Sequence, residues 1–275
     1  MLNGFSVDVE EWFHVCGAPA AIGRAHWTTL PSRVEATTAR VLDLLDRRGV
    51  RATFFVLGWV AERSPRLVES IVGAGHVVGS HGYGHDRVYE LDPRMFAADV
   101  EASLRSLTAA GSGPVSCYRA PEWSINERSP WAPAVLVRAG ITLDSSRAPM
   151  RIVGDPSYPT APHLLRTECG DLTEVPPFVM RRFGQAIPYG GGWGLRVARP
   201  RSVLRAVDAA NQAGIPATFW IHPWELDPDP PRVRLPWAAH AAHYLGLAGF
   251  DRRLAEILKH ARFGPLQEML RCTAA

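Results

Sequence analysis

Five apolar runs of this sequence end on ionisable side chains. Asp8 and Glu10 close "FSVDVE", His81 and His85 follow "HVVGSH", Arg119 closes "VSCYRAP", Asp144 lies in "ITLDSS", and His222 follows "IPATFWI". Two histidines and one carboxylate make an open ligand set for a catalytic divalent metal, leaving positions for water and substrate. His81 and His85 have the spacing of one helical turn, but the glycines between them each cost a helix about 1 kcal/mol relative to alanine. An HxxxH pair alone is more often structural than ligating, so the reading rests on what converges with it.

Hydrolysis assisted by a metal also needs a carboxylate free to act as base. Successive strand residues point to opposite faces, so Asp8 and Glu10 share a direction while Glu11 points away. Either can be the base while the other binds. Arg119 can hold that base ionised. His222 can protonate a leaving group, with Asp144 orienting the ring. Together these residues read as hydrolysis of an acyl or amide bond. The plainer readings are a turn cap for Asp144 in "DSS" and a structural ion pair for Arg119.

Alternating elements must bring these residues together. Helices are expected over "SRVEATTARVLDLLDRRG", capped by Ser32 with Glu35 as a capping box and stopped at Gly49, and over "SPRLVESIVGAG" after Ser64. Others open at Asp92–Pro93 and Ser129–Pro130, run through "RSVLRAVDAANQAG", and follow Asp251 with Leu254, Ile257 and Leu258 on one side. Between them lie "FSVDVE", "RATFFVLG", "HVVGSH", "VSCYRAP", "ITLDSS", "LTEVPP" and "IPATFWIHPWE", seven strands in all. Such strand–helix units argue for a parallel sheet, as a closed or nearly closed barrel or, less favoured, an open doubly wound sheet. In both, active sites lie beyond the carboxyl ends of the strands, where the seven residues fall. Residues 150–200, rich in Gly and Pro, read as a long elaborated loop.

The 275 residues are 47% hydrophobic and 21% charged, an ordinary globular composition, and a net charge of +3 without basic runs gives no sign of a nucleic-acid partner. The start lacks the features of a secretory signal and no apolar run is long enough for a membrane span, so a cytoplasmic location is expected. Cys16, Cys117, Cys169 and Cys272 are scattered and read as free thiols.

The motifs "SVDVEEW", "SHGYGH", "RAPEWS", "LDSS" and "WIHPWE", in that order over most of residues 5–226, resemble those of the polysaccharide deacetylases, the NodB-homology group of carbohydrate esterase family four. "ATFFVLGWVAERSPRLVESIVGAGHVVGSHGYGH" and "HPWELDP" most resemble the exosortase-associated branch found with exopolysaccharide genes. The resemblance implies an α/β fold, a distorted seven-stranded (β/α) barrel over residues 1–228, with residues 229–275 as a short C-terminal helical extension. It implies removal of acetyl groups from N-acetylated sugars. Asp8 then matches the base, His81 and His85 the metal-binding histidines, Arg119 the arginine that tethers the base, His222 the acid and Asp144 the carboxylate that orients it. Zinc is the usual metal, with cobalt or nickel in some members. Two departures stand out. Most members have adjacent aspartates in the first motif, whereas here Val9 separates Asp8 from Glu10, and strand alternation favours Glu10 as third ligand. Where an aromatic residue usually follows the proline of the third motif, this chain has Glu122 and then Trp123.

Trp12, Trp123 and Trp224 lie in or beside the motifs and Trp193 follows the glycine run at 190–192. Their faces suit sugar rings, and core packing explains them equally well. Trp123, Glu122, Trp224 and Trp193 are therefore the candidate substrate contacts. His240 and His243 are expected at the surface, and His14 near the pocket. Two rivals remain: an allantoinase-like hydrolase of another carbon–nitrogen amide bond, and a metal-free carbohydrate-binding pseudoenzyme.

Overall fold

The seven apolar runs form seven parallel strands. A computed structural model describes residues 1–14, 22–151, 153–182 and 184–274. In chain order β1 (Asn3–Val9), β2 (Thr53–Val56), β3 (Val77–Ser80), β4 (Cys117–Tyr118) and β5 (Leu143–Asp144) lie side by side. A hairpin of β6 (His163–Thr167) and β7 (Gly170–Glu174) follows, with β7 parallel to β5 and β6 antiparallel at the edge. β8 (Met180–Arg182) and β9 (Gln185–Ile187) form a separate hairpin. β10 (Thr218–Ile221) pairs with the other side of β1, and β11 (Phe263–Gly264) adds to the start of β1. The order β10-β1-β2-β3-β4-β5-β7-β6 makes a curled, mostly parallel sheet, an incomplete barrel.

Ten helices are described. They are α1 (Val34–Asp46), α2 (Gly58–Arg63), α3 (Pro65–Gly73), α4 (Pro93–Ala109), α5 (Ala132–Arg138), α6 (Gly192–Val197), α7 (Pro200–Gln212), α8 (Trp237–Tyr244), α9 (Phe250–His260) and α10 (Leu266–Ala274). Phe5, Val7 and Val9 of β1 pack with Val41, Leu45, Ile71 and Val203 in the core between sheet and helices. Ser6 and Asp8 point the other way, to Arg119. No described helix is long and apolar enough to cross a membrane. Cys117, Cys169 and Cys272 are free thiols, while Cys16 falls outside the described residues.

Register explains the convergence. Val9, Val56, Ser80, Tyr118, Asp144 and Glu174 are successive lateral partners, one rung across six strands. The next residue on β1, β3 and β4 is Glu10, His81 and Arg119, so the rung delivers all three to one rim.

Several local expectations are corrected. Ser32 and Glu35 form no capping box, because the Ser32 hydroxyl donates to Glu11, whose carboxylate also takes the Arg33 N–H at 3.0 Å. An anion from the β1 loop thus meets the positive end of α1. Asp92 does cap α4, accepting from the N–H groups of Arg94 and Met95, each at 2.8 Å. The stretch 150–200 is not one loop: it contains the two hairpins and α6. Its glycine run fills the gap beside β10, where Trp220 N–H donates to the Gly190 carbonyl and Gly190 N–H to that of Phe178, both at 2.8 Å. A Cβ on Gly190 or Gly191 would collide with the Thr218 carbonyl or the Trp220 ring.

α9 and α10 share the barrel's core. Phe250, Leu254, Ile257 and Leu258 of α9 join the cluster around Phe5 and Val203, and Leu266 and Met269 of α10 pack with Phe55 and Leu143.

Candidate active site

Glu10, on the first residue beyond β1, is completely buried among imidazoles. Its Oε2 lies 2.8 Å from His85 Nε2 and 3.8 Å from His81 Nε2. Its Oε1 accepts from Trp224 Nε1 at 3.2 Å and lies 3.8 Å from His222 Nε2. The facing imidazoles outweigh burial and hold the Glu10 carboxyl well below the usual range. His81 uses Nδ1 on the Arg119 carbonyl at 2.8 Å, which leaves Nε2 as the lone-pair nitrogen facing Glu10. His85 sits in the left-handed region at φ 57°, a conformation that non-glycine residues hold only under outside constraint.

These residues fit a divalent cation. Ligand atoms of Glu10, His81 and His85 lie within 4.8 Å of one another. Glu10 Oε2 and His85 Nε2 are buried 2.8 Å apart with no other partner, an arrangement whose lone pairs a cation beside them would take up.

Asp8 lies beside this cluster. Arg119, wholly buried, donates Nη1 to Asp8 Oδ1 at 2.7 Å and to Ser6 Oγ at 2.8 Å, and donates Nε and Nη2 to the carbonyl and hydroxyl of Ser145. Its guanidinium also lies 4.4 Å from the Phe55 ring and 4.6 Å from Trp123. So constrained, it can orient Asp8 in only one way.

His222 is oriented by Glu225, not by Asp144. Glu225 sits in the short turn after β10, takes the His222 backbone N–H on Oε2 at 2.8 Å, and places that oxygen 3.4 Å from Nδ1. Arg196 of α6 clamps Oε1 at 2.8 Å. Burial would lower the His222 pKa, but Glu10 and Glu225 raise it to about 9. Trp224 stacks on His222 at 5.1 Å and on His243 of α8 at 4.2 Å. His243 is thus a packed ring, contrary to the surface position expected, and burial pushes its pKa down to about 4.

No hydrogen bond or ion pair joins Asp144 to His222. Asp144 instead accepts from the Ser146 hydroxyl and faces Glu174 of β7. Glu174 Oε1 takes the N–H groups of Ser146 and Arg147 at 3.1 and 2.9 Å. Burial raises both carboxyls, and Asp144 beside it raises Glu174 further, so the pair keeps one proton, on Glu174.

The remaining candidates divide. Trp224 touches Glu10, and Trp123 packs on Arg119. Glu122 pairs with Arg87 at 3.0 Å and lines, with His14, Trp27 and His85, a cavity of about 150 Å³. His14 stacks on His85 at 5.3 Å, and burial and the His85 charge hold its pKa well below normal. Trp193 lies part-exposed on α6, with no ring partner among the described residues. The sequence reading passed over Glu225, Arg196 and Glu174. Glu225 carried a signal, three residues after His222 in "HPWE", and Glu174 ends a strand on the same rim.

Comparison with known proteins adds a family. Residues 26–142 match the polysaccharide deacetylase family model and residues 145–271 match a domain of unknown function, DUF3473. The first match contains His81, His85 and Arg119, and the second contributes Arg196, His222 and Glu225 to the same site. Peptidoglycan-N-acetylglucosamine deacetylase of Bacillus cereus is 42% identical over 55 residues, 20% of this chain and 20% of that protein. Chitooligosaccharide deacetylase of Rhizobium leguminosarum bv. trifolii is 33% identical over 103 residues, 37% of this chain and 45% of that protein. This chain therefore aligns with less than half the length of either. Among solved structures, one from Mycobacterium smegmatis classed with the polysaccharide deacetylases superposes with a TM-score of 0.63 at 20% identity, covering 98% of this chain and 89% of that one. A carbohydrate esterase family 4 pseudoenzyme from Bacillus anthracis superposes with a TM-score of 0.52 at 14% identity, covering 98% and 65%. The fold alone does not separate active from inactive proteins of this shape.

Proposed function

Because this chain carries a polysaccharide deacetylase domain of the carbohydrate esterase family 4 type, we propose that it is a metal-dependent N-deacetylase acting on N-acetylhexosamine residues of a polysaccharide, oligosaccharide or glycan precursor and releasing acetate. The supporting observation is the convergence of Glu10, His81 and His85, with two buried ligand atoms among them that have no other partner. Glu10, His81 and His85 hold the metal, zinc or else cobalt or nickel. When bound, it supplies Lewis acidity that polarises an acyl oxygen and eases deprotonation of water.

The protein's own groups do the rest. Asp8, with Oδ1 fixed by Arg119, receives on Oδ2 the proton of the water that attacks the acetamide carbonyl. His222, whose pKa the Glu10 and Glu225 carboxylates raise, gives its Nε2 proton to the departing amine. Glu225 keeps the ring turned so that Nε2 faces the Glu10 side of the site. The C–N bond breaks, leaving acetate and a free amino sugar. The exopolysaccharide setting implied by the motif phrases is part of this reading.

The deciding experiment is mass spectrometry of N-acetylated chitooligosaccharides incubated with zinc- or cobalt-loaded protein. Stepwise loss of single acetyl groups is expected. Intact substrate, with the metal bound in stoichiometric amount, overturns the proposal.

A further inference from the structure

The helix beside the site is amphipathic in the wrong sense. α8 turns His243 and Tyr244 inward, where His243 stacks on Trp224 and meets Tyr244 edge to face, and presents Trp237, Ala238, His240 and Ala242 to solvent, with Leu245 just after. A water-facing helix normally shows the opposite arrangement. Exposures are 85% for Trp237, 56% for Leu245, and 46% and 37% for Val197 and Trp193 on neighbouring α6. The two helices are tied together: Arg196 donates to the Ala242 carbonyl, and Gly246 lies so near α6 that a Cβ there would be 2.8 Å from the Arg196 carbonyl oxygen. Half of the eight exposed large hydrophobic residues described thus lie on one pair of packed helices, and such a patch marks an interaction surface.

Charge identifies the partner. Residues 175–207 and 230–250, which include both helices, contain no Asp or Glu of the chain's 27, but hold eight arginines. Arg199 and Arg201 follow α6, Arg232 and Arg234 precede α8, and all four are exposed. Exposed tryptophan and leucine beside the exposed Arg199, Arg201, Arg232 and Arg234 match the boundary between acyl chains and anionic headgroups. A second copy related by a two-fold axis would set these arginines against themselves.

We propose that the α6–α8 face docks on an anionic phospholipid surface. This proposal does not depend on deacetylation. The link of this face to the site runs through α8, whose inward His243 stacks on Trp224.

The test uses the full chain and vesicles of phosphatidylglycerol mixed with phosphatidylcholine, read by co-sedimentation and tryptophan emission. Binding to anionic vesicles is expected to exceed binding to pure phosphatidylcholine and to weaken with salt. Trp237→Glu with Leu245→Glu should lower partitioning at least about tenfold, because two apolar anchors are lost and two repelling charges added. The same double variant should release acetate from soluble oligosaccharide at the parental rate, which separates failure of docking from failure of the catalytic reading. No binding to anionic vesicles, equal binding to neutral ones, or undiminished binding by the variant each overturns the proposal. So does a lipid-free dimer abolished by the same substitutions, which assigns the face to a second copy. Equal retention by soluble polyglutamate would reduce it to simple charge attraction and overturn it as well.

Discussion

Arg196 Nη1 lies 2.8 Å from Glu225 Oε1, with both side chains sealed from water. The carboxylate that orients His222 is thus itself immobilised by a buried cation contributed by another segment. Removing either partner leaves an uncompensated buried charge, which typically costs about 3–5 kcal/mol.

Replacing Glu225 with Gln tests that arrangement while keeping its size. The His222 pKa of about 9 reflects burial pulling down and the Glu10 and Glu225 charges pushing up. Loss of the Glu225 charge lowers it, so the alkaline limb of the pH–rate profile, where the acid loses its proton, should move down by about one unit or more. The rate constant kcat should fall and KM stay nearly constant. An unmoved limb would show that Glu225 acts only through packing.

Asp8→Asn should cut acetate release at least about a hundredfold, the usual scale for a lost general base. Metal content should be unchanged, because Asp8 is outside the Glu10–His81–His85 cluster. Arg119 keeps its bonds to Ser6 and Ser145, so the variant should fold with a loss of about 1–3 kcal/mol. Metal analysis beside kinetics checks both parts, and parental turnover by the variant would refute the assignment.

Glu10→Asp shortens the ligand by one methylene and should weaken metal binding. The shorter side chain cannot both reach His85 and accept the Trp224 N–H, which Glu10 does at 2.8 and 3.2 Å. A loss of about tenfold to a hundredfold in affinity is expected from chelator competition, with a smaller loss in the same direction for Trp224→Phe. Tighter binding by the aspartate variant would remove Trp224 from the account.

The Asp144–Glu174 pair gives a pH signature in stability. Burial raises Asp144 from 3.8 to about 6, so the folded chain keeps a proton that the unfolded chain releases. The associated stability is complete below about pH 4 and is lost as pH rises through about 6. Asp144→Asn cannot ionise and relieves Glu174 of a neighbouring charge. Its urea midpoint, compared with the parent's, should therefore improve from pH 4 to pH 7, by about 3 kcal/mol at most. A constant difference across that range would exclude a raised Asp144 pKa.

Leu254→Ala tests whether residues beyond 228 belong to the main core. Leu254 is fully buried among strand and helix residues of the barrel, so truncation should cost about 2–5 kcal/mol in a single cooperative transition. A separate, earlier transition confined to the tail would mark an independent unit.

Much of this was legible in the sequence because it rests on local pattern. Strands buried on both faces read as apolar runs, and their ends marked the rim. What escaped depended on packing over long distances. Nothing near Asp144 distinguishes a partner in "LTE" from one in "HPWE", since the choice is made by sheet order. Arg196 follows a glycine run whose purpose, close approach to β10, appears only when Gly190 meets Phe178 and Trp220. β8, β9 and β11 are only two or three residues long, and β6, "HLLRT", has no apolar alternation to announce it. On α8, alanines and histidines gave no usable period, so its inverted orientation could not be read.

β1 takes its neighbours from both ends of the numbering: Asn3 pairs with Phe263, Gly4 with Thr218 and Ser6 with Thr53. During synthesis on a ribosome, two of those partners emerge only after more than 200 further residues have been added. Such distant pairings form slowly. The nascent strand that bears Asp8 and leads into Glu10 therefore waits half-paired until β10 has been made.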